Sequence, residues 1–155
     1  MRIDGCLSCD TLSGKFSPPG GIVYQNDYWL VVLRAKPLRL PCYPFILLKR
    51  HCEHVQELTD PEVALLGPTM KLTAQVLMVV IKPAKVHFGI YAESVKHIHV
   101  HVFPRMPSMP AGNIPNIWLN QWYQTLQSIG LKKAYDDTVV ADVAKQLRDV
   151  YQQLM

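Results

Sequence analysis

Polar and apolar residues alternate over residues 97–102 in the segment His97-Ile98-His99-Val100-His101-Val102-Phe103. Strict alternation is the period of a β-strand, in which successive side chains point to opposite faces of a sheet. The pattern therefore predicts a strand that packs Ile98, Val100 and Val102 on a core. Its other face carries three imidazoles, the side chains that accept, donate or attack near neutral pH. This arrangement predicts a functional site.

Two other interpretations of the histidine face remain open from the pattern alone. One is an ordinary polar sheet face with some metal affinity. The other is a metal site built directly from all three imidazoles, but alternate residues on a strand lie about 7 Å apart, which is too far for easy tridentate binding. Pro104 and Arg105 follow at once, so the strand is expected to end there, and strand ends are common places for ligands.

Composition narrows the class of protein and of ligand. A chain of 155 residues with 49% hydrophobic and 18% charged residues predicts one globular domain. The net charge of +4 comes from scattered Lys and Arg residues, which suits a small anionic ligand better than a nucleic acid. Glycine-rich phosphate loops and dinucleotide fingerprints are absent, so imidazoles, hydroxyls and backbone amides would have to hold any phosphate.

The expected location is the cytoplasm, without a membrane partner. The first residues lack the apolar core and cleavage pattern of a signal peptide. The apolar run at residues 76–81 is too short to cross a bilayer and is followed by Pro83. In an intracellular chain, the C-x-x-C pair of Cys6 and Cys9 is more typical of a metal or redox site than of a structural disulfide.

The order of predicted elements favours an antiparallel α+β fold over a parallel sheet. A turn-rich region precedes two β-rich runs that form a hairpin, a third run follows, and a helix begins near Thr59 or Asp60. That helix is expected to end near Ile81, with Gly67-Pro68 either kinking or splitting it. A fourth strand precedes the histidine strand. Beyond residue 116, helical spacing predicts a stripe formed by Val139, Val143, Leu147, Val150 and Leu154.

The histidine pattern resembles the signature of the histidine triad (HIT) superfamily of nucleotide hydrolases and transferases. Cys6-Leu7-Ser8-Cys9, Lys49-Arg50-His51 and Leu58-Thr59-Asp60 occur in the order seen in its zinc-containing members. The resemblance implies a HIT-like α+β domain over residues 1–155: an antiparallel sheet of about five strands with a main helix packed on it. Its core covers about residues 5–105, and residues 113–155 form a C-terminal helical extension. The family also implies a homodimer.

The resemblance implies a role for each of three residues. His99, the middle histidine, would be the nucleophile that attacks an α-phosphorus and forms a nucleotidyl-histidine, which water then hydrolyses. Such a ring must be neutral, with its other nitrogen donating to a backbone carbonyl or a similar acceptor. His101 would bind phosphate oxygens and share proton transfer. Ser94 aligns with a serine that hydrogen-bonds the phosphate, or it simply ties up the turn.

A second set of residues is implied as metal ligands. In zinc-containing relatives the first triad histidine joins the two cysteines and the histidine of the K-R-H motif. Here that set is Cys6, Cys9, His51 and His97, and it would bind one structural zinc per chain. The zinc would clamp the N-terminal loop to the sheet without touching substrate. His54 could replace His51 if the local backbone were helical.

Several positions depart from the family pattern. Cys42-Tyr43 stands where many members have Gly-His, and Arg34 stands where an acidic residue often binds ribose hydroxyls. His87 occupies the place of an asparagine, and Glu93 that of a glutamine or asparagine. These changes bear on nucleoside recognition more than on phosphate chemistry. The candidate nucleotide-binding residues are Arg34, His87, Glu93, Ser94 and His101.

The resemblance implies an enzyme that hydrolyses a nucleoside 5′-phosphate ester, anhydride or phosphoramidate, such as a dinucleoside polyphosphate or an AMP-amine conjugate. Two alternatives remain. The first is nucleotidylyl transfer, although transferases often carry glutamine at the third triad position, where this chain has His101. The second is a nucleotide-binding or regulatory module with little catalysis, which the departures at residues 34, 42, 43 and 93 favour.

Overall fold

A computed structural model describes residues 3–33, 42–109, 125–130 and 136–155 of the protein. Arg34 lies outside these residues, as do residues 110–124 and 131–135 of the C-terminal segment. The elements in chain order are α1 (Leu7–Leu12), β1 (Ile22–Gln25), β2 (Trp29–Leu33), β3 (Pro44–Leu48), a 3₁₀ turn (Val55–Glu57), α2 (Asp60–Val80), β4 (Lys85–Ile90), β5 (His99–Arg105) and α3 (Asp137–Leu154).

In the described residues the sheet has five strands in the order β1-β2-β3-β5-β4, and every neighbouring pair is antiparallel. The predicted α+β fold with an antiparallel sheet of about five strands is therefore confirmed. Phe45 on β3 lies opposite His101 on β5, and Leu47 lies opposite His99. Because paired residues share a face of the sheet, both histidines lie on the face that carries these two side chains.

The opposite face of the sheet packs against α2 and α3. Ile98, Val100 and Val102 are fully buried there, as the alternation of residues 97–102 predicts. The predicted stripe on the C-terminal helix is partly correct. The fully buried residues of α3 are Val140, Ala144, Leu147 and Tyr151. Of the predicted stripe, Leu147 is fully buried, Val143 and Val150 are partly buried against the core, and Val139 and Leu154 are exposed.

Contacts with residues far away in the sequence, which a hydropathy pattern does not contain, explain why the packed face of α3 differs from the predicted stripe. Gly20 approaches α3 so closely that a Cβ added to it would collide with the Ala144 side chain, which requires small residues on both sides. The Tyr151 ring stacks on Tyr24 with ring centroids 4.8 Å apart, and its hydroxyl donates to Thr73 Oγ1 at 2.7 Å. The packed face of α3 is therefore set by Tyr151, which is aromatic and partly polar, and by the close contact of Ala144 with Gly20.

Helix α2 begins and ends where the sequence predicts. Thr59 is its N-cap and Ile81 its C-cap. Gly67-Pro68 does not split it, because Pro68 lies inside a single helix of 21 residues. By length and composition alone, α2 could cross a membrane, which the short run at residues 76–81 did not suggest. In this fold Val76 and Leu77 pack into the core beneath the sheet.

The histidine face of the sheet carries a second, smaller apolar cluster. Its buried members are Leu30, Val32, Tyr43, Phe45, Leu47, Phe103 and Met109. Leu12, the last residue of α1, packs against this cluster. The sequence predicts only turns between residues 5 and 21, but the C-x-x-C pair begins a helix: Cys6 is the N-cap of α1 and Cys9 lies within it.

Candidate functional site

Four of the predicted metal ligands meet beside α1. The ligand atoms of Cys6, Cys9, His51 and His97 all lie within 4.8 Å of one another. His97 Nδ1 is 3.6 Å from Cys6 Sγ and 3.5 Å from Cys9 Sγ, and His51 Nδ1 is 3.4 Å from Cys9 Sγ. In a tetrahedral site with Zn–S of about 2.3 Å and Zn–N of about 2.0 Å, sulfur and nitrogen ligands lie about 3.6 Å apart. These three sulfur–nitrogen distances therefore match edges of a zinc tetrahedron.

The topology explains why these residues meet. Cys6 and Cys9 are three residues apart at the start of α1, so both sulfurs lie on one face of that helix. His51 follows the end of β3, and His97 precedes the start of β5. Since β3 and β5 are antiparallel neighbours, the last residues of one strand and the first residues of the other lie at the same end of the sheet.

Hydrogen bonds hold both ligand rings in the tautomer that a metal requires. His97 Nε2 donates to the carbonyl of Leu48 at 2.9 Å, which directs the lone pair of Nδ1 at the sulfurs. Burial lowers the pKa of His97, so this ring is neutral. His51 Nε2 lies 3.3 Å from the Glu53 carboxylate. A carboxylate or carbonyl behind a ligating imidazole is the usual support of a metal site.

The predicted ligand set is confirmed, and its Cys₂His₂ chemistry is that of structural zinc. Exposed His54 lies outside the cluster, at the N-cap of the 3₁₀ turn, so it does not replace His51. Since protein side chains fill all four positions, a bound metal has no open position for substrate.

The other two histidines of residues 97–101, His99 and His101, form a series of hydrogen bonds that ends at Tyr43. His99 Nδ1 lies 2.8 Å from the carbonyl oxygen of His97. A carbonyl can only accept, so Nδ1 carries the proton, and a neutral His99 has its lone pair on Nε2. His99 Nε2 is 3.0 Å from His101 Nε2, and His101 Nδ1 is 3.0 Å from the Tyr43 hydroxyl. The two rings lean together to a centroid distance of 4.7 Å, well under the expected spacing of about 7 Å.

A mainly apolar cleft opens beside His99. Only 6% of His99 is exposed, and the residue lines this cleft. The other lining residues come from α1 and the loop after it, from β2 and β3, and from the segment before β5: Leu7, Ser8, Thr11, Phe16, Pro18, Val32, Leu33, Phe45, Leu47 and Val95. The cleft has a volume of about 30 Å³, so it marks the place where a ligand can approach the ring and is not a preformed pocket for a larger molecule.

The predicted residues outside these clusters are more dispersed. His87 on β4 lies opposite Phe103 and is half-buried, and burial together with the charges of Arg105 and Lys85 lowers its pKa. Glu93 is exposed and lines a separate surface cleft with Tyr91 and Lys96. Ser94 is also exposed and lines a groove beside the metal cluster. In the described part of the chain, neither residue hydrogen-bonds to a triad histidine, and Arg34 lies outside that part.

Two tyrosines at the site were not predicted as functional residues. The Tyr43 hydroxyl contacts His101, and the Tyr91 ring lies edge-on to His101 with centroids 5.2 Å apart. Gly89, opposite His101 on β4, leaves room for that ring, because an added Cβ would lie 2.7 Å from the Tyr91 hydroxyl. The sequence marks Tyr43 only as a departure from Gly-His; its contact depends on the β3–β5 register.

Comparisons with known proteins agree with this architecture. A family model described as HIT domain matches residues 16–108. No curated protein matches the sequence significantly.

Three solved structures from other organisms have similar folds. A HIT-like protein involved in cell-cycle regulation from Bartonella henselae has 12% identity and a TM-score of 0.69, covering 97% of this chain and 99% of its own. A zinc-bound histidine triad family protein from Mycobacterium smegmatis has 18% identity and a TM-score of 0.68, covering 97% and 95%. A hypothetical histidine triad nucleotide-binding protein from Sulfolobus tokodaii has 18% identity and a TM-score of 0.69, covering 96% and 93%.

At these identities the structures support the fold alone, whereas the family model is matched by the sequence itself. The matched segment runs from the loop after α1 to just beyond β5 and takes in more than half of the chain. The protein therefore belongs to the HIT domain family.

Proposed function

We propose that this protein is a nucleotide hydrolase that works through a covalent intermediate on His99. The observation that carries the proposal is the contact between His99 Nδ1 and the His97 carbonyl, at the wall of an apolar cleft. It fixes the lone pair of the neutral ring on Nε2, as a nitrogen nucleophile requires. The proposed substrates are nucleoside 5′-phosphate esters, anhydrides and phosphoramidates, including dinucleoside polyphosphates and AMP-amine conjugates.

The reaction proceeds in two displacements. In the first, the Nε2 lone pair of His99 forms a bond to the α-phosphorus, and the leaving group departs with the electron pair of its own bond to phosphorus. The ring then carries a positive charge next to the His97 carbonyl, whose dipole stabilises that charge. In the second, water attacks the phosphorus, the N–P bond breaks and its electron pair returns to Nε2. The proton that water loses balances the charge of the leaving group.

His101 binds the phosphoryl group in this proposal. With its proton on Nε2, the ring donates toward the place where phosphorus meets His99. A donor there compensates the negative charge that develops on the phosphoryl oxygens. The base of the nucleoside enters the apolar cleft beside Phe45, which has to widen from about 30 Å³ to admit it; the Phe45 ring centroid is 5.6 Å from that of His99. His87, Glu93, Ser94 and Arg34 remain candidate nucleotide-binding residues.

Zinc has a structural role in this scheme. A metal held by Cys6, Cys9, His51 and His97 would tie α1 to the end of the sheet where β3 finishes and β5 begins. Because α1 supplies Leu7, Ser8 and Thr11 to the cleft, the tie keeps that wall in place. It also fixes His97, whose carbonyl orients the nucleophile.

The proposal is tested by assaying a fluorogenic AMP-amine conjugate and a dinucleoside polyphosphate with the wild type, His99→Ala and His99→Asn. We expect both variants to lose turnover by more than about a thousandfold, because no other group replaces the nucleophile. Intact mass spectrometry after an alkaline quench should show an AMP adduct on the wild type alone. AMP binding, measured by calorimetry, should persist in His99→Asn.

Absence of turnover above the variants, with AMP still bound, would favour a nucleotide-binding module. The observation behind that second candidate is that Glu93 is exposed and lines a cleft that includes none of the triad histidines. Product that forms only when a phosphate or nucleotide acceptor is added would instead indicate a nucleotidylyltransferase.

A further inference from the structure

Tyr43 provides the hydroxyl at one end of the hydrogen-bonded chain through the catalytic rings. We propose that Tyr43 is a positioning residue, which holds His101 in the tautomer with its proton on Nε2. The predicted effect of Tyr43 on turnover rests on the proposed function. Its effect on the tautomer of His101 does not, and can be measured without a substrate.

The contacts at the two ends of this series of hydrogen bonds favour the same donor-to-acceptor direction. Since the His97 carbonyl accepts from His99 Nδ1, the neutral His99 ring has a lone pair on Nε2. His101 Nε2 lies 3.0 Å from that lone pair, a contact that favours the proton of a neutral His101 on this nitrogen. His101 Nδ1 is then an acceptor, and the Tyr43 hydroxyl, 3.0 Å away, is the donor that matches it.

The surroundings of Tyr43 keep its hydroxyl in this position. The residue is 2% exposed, and its ring packs edge-on against Phe45 and Phe103, with centroids 5.0 and 6.0 Å away. Tyr43 is two residues before Phe45, which lies opposite His101. It therefore reaches His101 diagonally across the β3–β5 pair, a distance that an aromatic side chain can span.

The tautomer matters because it decides what His101 presents to a phosphate. In the observed direction, Nε2–H donates to His99 and can donate to a phosphoryl oxygen. In the other tautomer, two lone pairs would face each other 3.0 Å apart, and the ring would repel an anionic oxygen. Tyr43 thus acts through His101, and no contact between Tyr43 and substrate is needed.

The test is histidine ¹⁵N NMR on the full-length, zinc-loaded protein at about pH 8, above the ordinary histidine pKa range. In the wild type, His101 should show an unprotonated Nδ1 and a protonated Nε2. Tyr43→Phe removes only the hydroxyl, and with it one of the two contacts that favour this tautomer, so the population of His101 with its proton on Nδ1 should rise. Tyr24→Phe, on the other face of the sheet, is the matched control and should leave His101 unchanged.

Kinetics give the second readout. With an AMP-amine substrate, Tyr43→Phe should lower kcat about 10- to 100-fold while KM stays within about threefold, because the donor is misplaced and the nucleoside cleft is intact. A merely structural role would change the thermal midpoint without changing the tautomer.

The outcomes separate this inference from the proposed function. A protonated Nδ1 on wild-type His101 overturns the inference even if Tyr43→Phe does not fold. An unchanged tautomer in a folded Tyr43→Phe also overturns it, whatever the activity of the wild type. A shifted tautomer in a protein that turns over no nucleotide supports the positioning role and refutes the proposed function.

Discussion

His97 and His99 are only two residues apart, yet the ring of the first and the ring of the second serve different sites. The His97 ring faces the sulfurs of Cys6 and Cys9, while its backbone carbonyl accepts from His99. One residue therefore links the metal cluster to the proposed nucleophile. Losing the metal should release the His97 ring and, through the backbone, loosen the acceptor that orients His99.

Glu53 offers a specific test of the metal cluster, because it contacts the His51 ring on the side away from the cysteine sulfurs. Glu53→Gln keeps the size of the side chain and removes its charge. We expect zinc affinity to fall about 10- to 100-fold, since such supporting carboxylates orient the ligand and raise its basicity. Competition with a chromogenic chelator measures this change.

Two further variants serve as controls for the zinc affinity of Glu53→Gln. Metal analysis of the wild type should give about one zinc per chain, and Cys9→Ser, which removes a ligand, should lose it. Glu57→Gln neutralises a nearby exposed carboxylate outside the cluster and should bind zinc like the wild type. Equal zinc affinity in Glu53→Gln and the wild type would show that the contact of 3.3 Å does not support His51.

At this scale, some of the site follows from sequence and some does not. Alternation places Ile98 and Val100 in the core, because a strand period needs only the order of residues. The four metal ligands follow from the family motif. The Tyr43 contact with His101 does not, because it depends on which residue of β3 lies opposite His101. Tyr91 reaches the same ring only because Gly89 leaves space beside it.

At the scale of elements, the start of α2 shows how one buried carboxylate can organise several segments. Glu62 accepts from the Thr59 backbone at 2.8 Å and from Arg50 at 2.6 and 2.8 Å. Its own backbone carbonyl accepts from Trp29 Nε1 at 2.8 Å. The N-terminus of α2 is thereby joined to β2 and to the segment after β3, which leads to His51.

We expect Glu62→Gln to lower the free energy of unfolding by roughly 1–3 kcal/mol, the usual cost of losing hydrogen bonds to a charged group. Urea denaturation at neutral pH measures it. Asp60→Asn, which changes an exposed carboxylate in the same helical turn, is the control and should cost a few tenths of a kcal/mol at about pH 7. Similar losses in both variants would contradict a special role for Glu62.

The same carboxylate predicts a pH dependence. The hydrogen bonds from Arg50 hold the pKa of Glu62 below its ordinary value of 4.5. A lowered folded-state pKa gives a stabilisation that is complete above 4.5 and is lost as the pH falls through the folded value. The stability difference between wild type and Glu62→Gln should therefore shrink below about pH 4.5. A difference that stays constant or grows on acidification would contradict this assignment.

The helices also show what a hydrophobic pattern can decide. The start of α2 follows from Thr59 and Pro61, since capping residues act locally, and Pro83 follows soon after its C-cap Ile81. The phase of α3 does not follow, because the pattern gives Val139 more weight than Ala144. Ala144 is buried against Gly20, a contact between residues far apart in the sequence. Local signals thus place helix ends, whereas long-range contacts set which face is packed.

At the scale of the whole molecule, β4 and α2 expose backbone hydrogen-bonding groups and apolar side chains. Within the described residues β4 pairs only with β5, so its other edge presents unpaired backbone groups. Exposed apolar side chains on the outer side of α2 include Val63, Met78 and Val79. The two elements that carry these features, α2 and β4, contact each other. The cytoplasmic location stays a prediction.

We propose that a second copy of the chain covers this surface, because two β4 edges can pair antiparallel and continue the sheet, burying both α2 faces. Light scattering after size exclusion should show a dimer for the wild type. Met78→Lys should shift the protein toward monomer, because a charge would be buried in the interface. Val139→Lys, a matched exposed valine on α3, should remain dimeric. A wild type that stays monomeric at about 100 μM, some hundredfold above a micromolar dissociation constant, would show that two copies do not meet through this surface.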